Sequence, residues 1–134
     1  MVVNDYFSKW PEANAIPNQE ATTVTKMLID NWINRFGIPT AIHSNQDRNL
    51  ESNLFQRVTE VLRIRKTRTT PLHPQSDGMV KRFNRTMEEH LSKVVAEHQK
   101  DWDRHLPLFL LAYRSAVHNT MGQTLARIVF GREL

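Results

Sequence analysis

An α/β fold follows from the way two periodicities alternate along this chain. Short stretches of extended character, over residues 1–16, 40–43 and 63–70, are separated by longer ones whose apolar residues recur every three or four positions. The 134 residues, 40% hydrophobic and 24% charged, have the composition of an ordinary globular domain. A chain of this length forms one domain, residues 1–134, that buries roughly two-thirds of its surface.

Residues 1–16 read as two short strands. Met1-Val2-Val3 leads into Tyr6-Phe7, Ser8-Lys9 turns the chain, and Trp10 to Ile16 follows with mixed polarity. Asp5 reads as the organiser of that turn. A helix is predicted from Asn18, with Glu20 in its first turn and Val24, Met27, Leu28 and Trp32 at helical spacing. Phe36-Gly37-Ile38-Pro39 ends it, with glycine past the last turn and proline beyond.

Thr40 to His43 is a short strand, residues 44–49 a polar loop, and Leu54, Val58, Val61 and Leu62 mark a short helix. Arg63 to Thr70 alternates charged residues with Ile and Thr, as an edge strand with one solvated face would. His73-Pro74 keeps the backbone extended, and Ser76, Asp77 and Gly78 supply turn and cap chemistry. A long helix to about His98 then carries Val80, Phe83, Met87, Leu91, Val94 and Val95 as one stripe. A last helix from Asp101 carries Leu106, Phe109, Leu110, Tyr113 and Val117, with Pro107 expected near its first turn.

Charge is concentrated rather than spread. Residues 57–85 hold eight Lys and Arg against two acids, a net +6 in a chain whose total is +4, so the remainder carries −2. A nucleic-acid footprint would require such a distribution, and a solvated basic face is the alternative reading. Lys81, Arg82 and Arg85 also break a local rule, because the dipole disfavours cations in the first turns of a helix by roughly 0.3–1 kcal/mol each. Phosphate is the ligand that would repay it.

The stretch His73-Pro74-Gln75-Ser76-Asp77-Gly78-Met79-Val80-Lys81-Arg82-Phe83-Asn84-Arg85 resembles the loop and catalytic helix of the integrase core of Gypsy-type long-terminal-repeat retrotransposons and retroviruses. That family reads His-Pro-Gln-(Ser or Thr)-x-Gly-x-Val-Glu-Arg-x-Asn-Arg, and its Glu is one of three metal-binding acids. Lys81 stands at that position. Residues 5–13 resemble the family's second strand and following turn. Gly122-Gln-Thr and Phe130-Gly131-Arg132 resemble its closing motif, with Leu125 where the family has Pro. The resemblance covers about Val2 to Leu134. It implies a ribonuclease H-like mixed sheet flanked by helices, lacking the first strand that bears the family's first acid.

The family's second acid belongs to a His-Ser-Asp-x-Gly pattern, which appears here as His43-Ser44-Asn45-Gln46-Asp47. Asn45 takes the acid position, and the 35 residues between Asn45 and Lys81 keep the family's spacing. The resemblance thus implies a DNA strand transferase that uses Mg²⁺ or Mn²⁺, with no catalytic acid intact at Asn45 or Lys81. Such ions are held by converging carboxylates. No metal and no cofactor is expected here.

Nucleic-acid contacts are expected from Lys66, Arg68, His73, Gln75, Lys81, Arg82, Asn84 and Arg85, mostly to phosphate. Absence of cysteine excludes disulfides and fits an intracellular protein, nuclear by the resemblance. No stretch approaches the roughly 18 apolar residues of a membrane span, and no glycine-rich phosphate loop or nucleophile elbow is present. DNA and a second copy, through helices such as 20–36 and 101–118, are the expected partners, with no small-molecule substrate. Three readings stand: an inactive remnant of a Pol-encoded integrase, a retained DNA-binding or dimerising module, or an active strand transferase using other acids.

Overall fold

The structure is a computed structural model, and it describes residues 1–44, 52–68, 78–97 and 102–134. The contacts divide the chain into two units, one spanning residues 16–78 and the other residues 2–15 with 79–134.

In the first unit, helix α1 (Ala21–Leu28) runs through a π-helical turn (Ile29–Ile33) into α2 (Asn34–Phe36). The start lies at Ala21 rather than Asn18, because Asn18 Oδ1 accepts bonds from the Glu20 amide (3.1 Å) and the Thr23 hydroxyl (2.6 Å) ahead of the helix. Val24 and Leu28 are buried as the periodicity requires, and Trp32 packs on Phe36 with ring centres 5.1 Å apart. Gly37, at φ +90°, ends the run in a conformation other residues avoid.

Strands β3 (Ala41–Ser44) and β4 (Arg65–Arg68) pair in parallel, from Ala41 opposite Arg65 to Ser44 opposite Arg68. A parallel pair needs a crossover, and α3 (Asn53–Val61) supplies it. Ser52 caps α3 by accepting from the Phe55 amide at 3.2 Å, and Phe55 is wholly buried. The other end closes with Arg63 in the left-handed region at φ +57°. There the Arg63 amide donates to the Glu60 carbonyl (3.1 Å) and the Ile64 amide to the Thr59 carbonyl (2.8 Å), a full Schellman pattern without glycine.

In the second unit, β1 (Val2–Asn4) and β2 (Pro11–Ala13) form an antiparallel hairpin, Val2 facing Ala13. Helix α4 (Gly78–Glu97) presents Phe83 and Leu91 to a core shared with Ala13 and with Leu106, Phe109 and Leu110 of α5 (Trp102–Ser115). The Phe83 ring meets Tyr113 edge-on at 5.0 Å. Pro107 is the sixth residue of α5, a turn deeper than its expected place near the helix start. It withholds the amide that would serve the Asp103 carbonyl, and the buried Leu106, Phe109 and Leu110 hold the helix together across it.

Helix α6 (Leu125–Phe130) is capped by Thr124, whose hydroxyl accepts from the Arg127 amide at 3.1 Å. Leu125 is its first residue, where proline's missing amide costs nothing. Proline and leucine are therefore interchangeable there as far as the backbone is concerned. The described strands thus supply both antiparallel and parallel pairing, in two two-stranded sheets with helices around them. No described helix is long and apolar enough to cross a membrane.

Candidate nucleic-acid interface

Helix α4 is amphipathic, and its two faces do different work. Phe83 and Leu91 point to the core, with Met87 packed beside them. Lys81 and Arg82, with Arg85 four and three residues further on, are exposed on the opposite face. Asn84 is half-buried between the faces. The first turn, at the positive pole of the helix dipole, contains no acid. Three cations and that pole make one positive surface suited to phosphate oxygens.

Lys66 lies in the other unit and is occupied. Its ammonium donates to Ser44 Oγ at 2.5 Å and to the Thr67 carbonyl at 2.9 Å, tying β4 to the end of β3. His43 Nδ1 and Thr67 Oγ1, 2.8 Å apart, make a second link between the same strands. Arg68 closes β4, while Asn45, Asp47, His73 and Gln75 lie outside the described residues. Arg57, Arg63 and Arg65 are exposed in this unit and were not singled out from the sequence. The charge count over residues 57–85 was the signal that included them.

Asp5 does organise its turn. Oδ2 accepts from the Ser8 amide at 2.8 Å and the Ser8 hydroxyl at 2.6 Å, and the Lys9 amide returns to the Asp5 carbonyl at 2.8 Å. Glu12 and Arg114 escaped the sequence reading. Arg114 Nη2 lies 3.0 Å from Glu12 Oε2 and donates to the Pro11 carbonyl at 2.6 Å, and the guanidinium sits 4.3 Å from the Trp10 ring centre. Trp10 Nε1 donates to the other Glu12 oxygen at 3.0 Å. Glu12 is thereby spent on structure. Burial pushes the Tyr113 phenol above its usual value.

Among the described residues no three His, Asp or Glu side chains converge on a point, and the helix position at which the family carries its acid holds an exposed ammonium, Lys81.

No protein-family model matches the chain. It is 33% identical over 135 residues to the Gag-Pol polyprotein of walleye dermal sarcoma virus, covering 100% of this chain and 8% of that protein. Among solved structures, a chain of the simian T-cell lymphotropic virus intasome in complex with PP2A regulatory subunit B56γ superposes with a TM-score of 0.86 at 24% identity, over 99% of this chain and 48% of that one. The HTLV-2 integrase catalytic core domain, in complex with magnesium in a trimeric form, superposes with a TM-score of 0.78 at 19% identity, over 95% and 81%.

Proposed function

The chain belongs with the integrase catalytic cores of retroviral Pol polyproteins, and from that premise we propose that it binds DNA without joining it. The observation that carries this reading is the exposed trio Lys81, Arg82 and Arg85 opening α4 with no acid in its first turn. An ammonium about 4 Å from a unit charge costs about 4 kcal/mol at an effective dielectric near 20, and a divalent ion about doubles that. Asn45 brings only a neutral oxygen. The two family acid positions within these residues therefore sum to +1 rather than −2, and phosphate replaces magnesium as the favoured ligand.

On this reading the chain descends from a retrotransposon of Gypsy type and acts on DNA in the nucleus. A second copy is its other partner, through the face of α5 where Leu108 and Leu111 stand exposed opposite the buried Leu106, Phe109 and Leu110. The solved relative in a trimeric form supports self-association of this fold.

Two assays test the proposal. Fluorescence anisotropy with a labelled duplex should give salt-sensitive binding that weakens when Arg82 and Arg85 are changed to Ala. A strand-transfer reaction with Mg²⁺ or Mn²⁺ should give no joined product. Joining would overturn the non-catalytic part, and salt-insensitive binding the phosphate part.

A further inference from the structure

The turn between β1 and β2 carries a surface used neither by the core nor by the α4 face. Tyr6 and Phe7, adjacent at its tip, are 79% and 83% exposed, more than any other large apolar side chain among the described residues. Leaving two large rings in water forfeits the stabilisation that their burial would give.

The backbone beneath them is held firmly. Ser8 is buried; its amide and hydroxyl donate to Asp5, and its oxygen accepts from the Trp10 amide at 3.2 Å. The Asp5 amide donates to the Trp10 carbonyl at 2.9 Å. Lys9 adopts φ +66°, a left-handed conformation that costs a residue with a Cβ. Its ammonium donates to the Tyr6 carbonyl at 2.6 Å and lies 4.5 Å from the centre of the Tyr6 ring. Two rings are thus presented on a rigid tip with a cation beside them, and the turn's only carboxylate is directed at Ser8.

We propose that this tip is a stacking platform for the unpaired bases of a single-stranded nucleic acid, with Lys9 meeting the adjoining phosphate. Every base offers a π-face, and stacking between base pairs in a duplex keeps that face covered, so exposed rings favour unpaired strands. Lys9, beside the rings, is the cation that complements the strand's charge there. The inference rests on the reading that the chain binds nucleic acid, and it concerns a surface separate from Lys81, Arg82 and Arg85.

The test compares a labelled oligo(dT) strand with a duplex of equal length on the 134-residue chain. Changing both Tyr6 and Phe7 to Ala should weaken the oligo(dT) complex about tenfold or more and leave duplex affinity unchanged. Tyr6→Phe should keep the affinity. Phe7→Trp should add emission that oligo(dT) quenches and duplex does not. Unchanged oligo(dT) affinity in the double variant, or an equal loss on both DNAs, overturns the platform. So does a sedimentation shift from dimer to monomer with oligo(dT) affinity intact, since the rings would then serve a second copy. A wild-type chain that binds duplex through Arg82 and Arg85 but ignores oligo(dT) sinks the platform alone. Failure on both DNAs sinks the DNA-binding reading with it.

Discussion

Arg114 and Glu12, 102 positions apart in sequence, meet at 3.0 Å in a setting where both side chains are largely withdrawn from water. Arg114 also reaches the Pro11 carbonyl and covers Trp10, so one side chain fastens α5 to β2. Removing one partner of a buried pair leaves the other charge uncompensated, which typically costs about 3–5 kcal/mol. Glu12→Ala is expected to lower stability by about that amount in urea unfolding. Adding Arg114→Ala should cost much less than a second such penalty, because the orphaned charge goes too. Strictly additive losses in the four-member cycle would show that the two groups do not act as a pair.

A smaller effect has the opposite sign. Arg63 closes α3 from the left-handed region, where a Cβ costs about 1 kcal/mol and glycine costs nothing. Its side chain is exposed, so little packing is lost on truncation. Arg63→Gly should therefore raise the urea midpoint slightly, by less than about 1 kcal/mol in stability, because the greater freedom glycine gives the unfolded chain offsets part of the gain. A lowered midpoint would mean that the Arg63 side chain holds the first unit together.

Those two cases mark where sequence reading reached and where it stopped. The stripe Phe83, Met87, Leu91 was legible because a helix repeats its core face every three or four residues, and it packs as read. The exposed Lys81, Arg82 and Arg85 were legible for a different reason, as cations in the first turns of a helix where the dipole disfavours them. Arg114 meeting Glu12 leaves no local pattern, since a long-range ion pair has no period. The π-helical turn at Ile29–Ile33 and the left-handed Arg63 were equally silent, because neither uses the residue that usually announces it. Pro107 misled for a different reason: proline reports a preference for the first turn, and burial on both sides overrode it.

Alkaline pH should reveal Tyr113. Burial raises its phenol above the ordinary value of about 10, so above pH 10 the folded chain holds a proton that the unfolded chain has released. This contribution to stability is complete below the unfolded value and is lost as pH rises through the folded one. Between pH 9 and 11 the urea midpoint should fall further for the wild type than for Tyr113→Phe. Parallel curves for the two proteins would remove Tyr113 as the cause.

The α5 surface offers a test of self-association. Leu108 and Leu111 are exposed on one side of a helix whose other side is core. A carboxylate placed between two copies must be desolvated without a partner, whereas in a monomer it stays in water. Leu111→Glu is expected to leave the circular dichroism melt nearly unchanged and to weaken the self-association proposed for the wild type, read by sedimentation equilibrium. An unaltered association constant would take α5 out of the contact.

Lys81 supplies the sharpest measurement, because it separates attraction to phosphate from attraction to metal. If its ammonium meets the DNA backbone, Lys81→Ala removes one released counterion, and the slope of log affinity against log salt should become shallower by about 0.9. Lys81→Glu puts the family's acid back and a negative charge against the strand, so the loss should be larger still and greatest at low salt. The effect should be alike for all duplex sequences, since phosphate contacts carry no base information. An unchanged slope in both variants would remove Lys81 from the interface. Tighter DNA binding by Lys81→Glu only when Mg²⁺ is added would show that the site takes an ion after all.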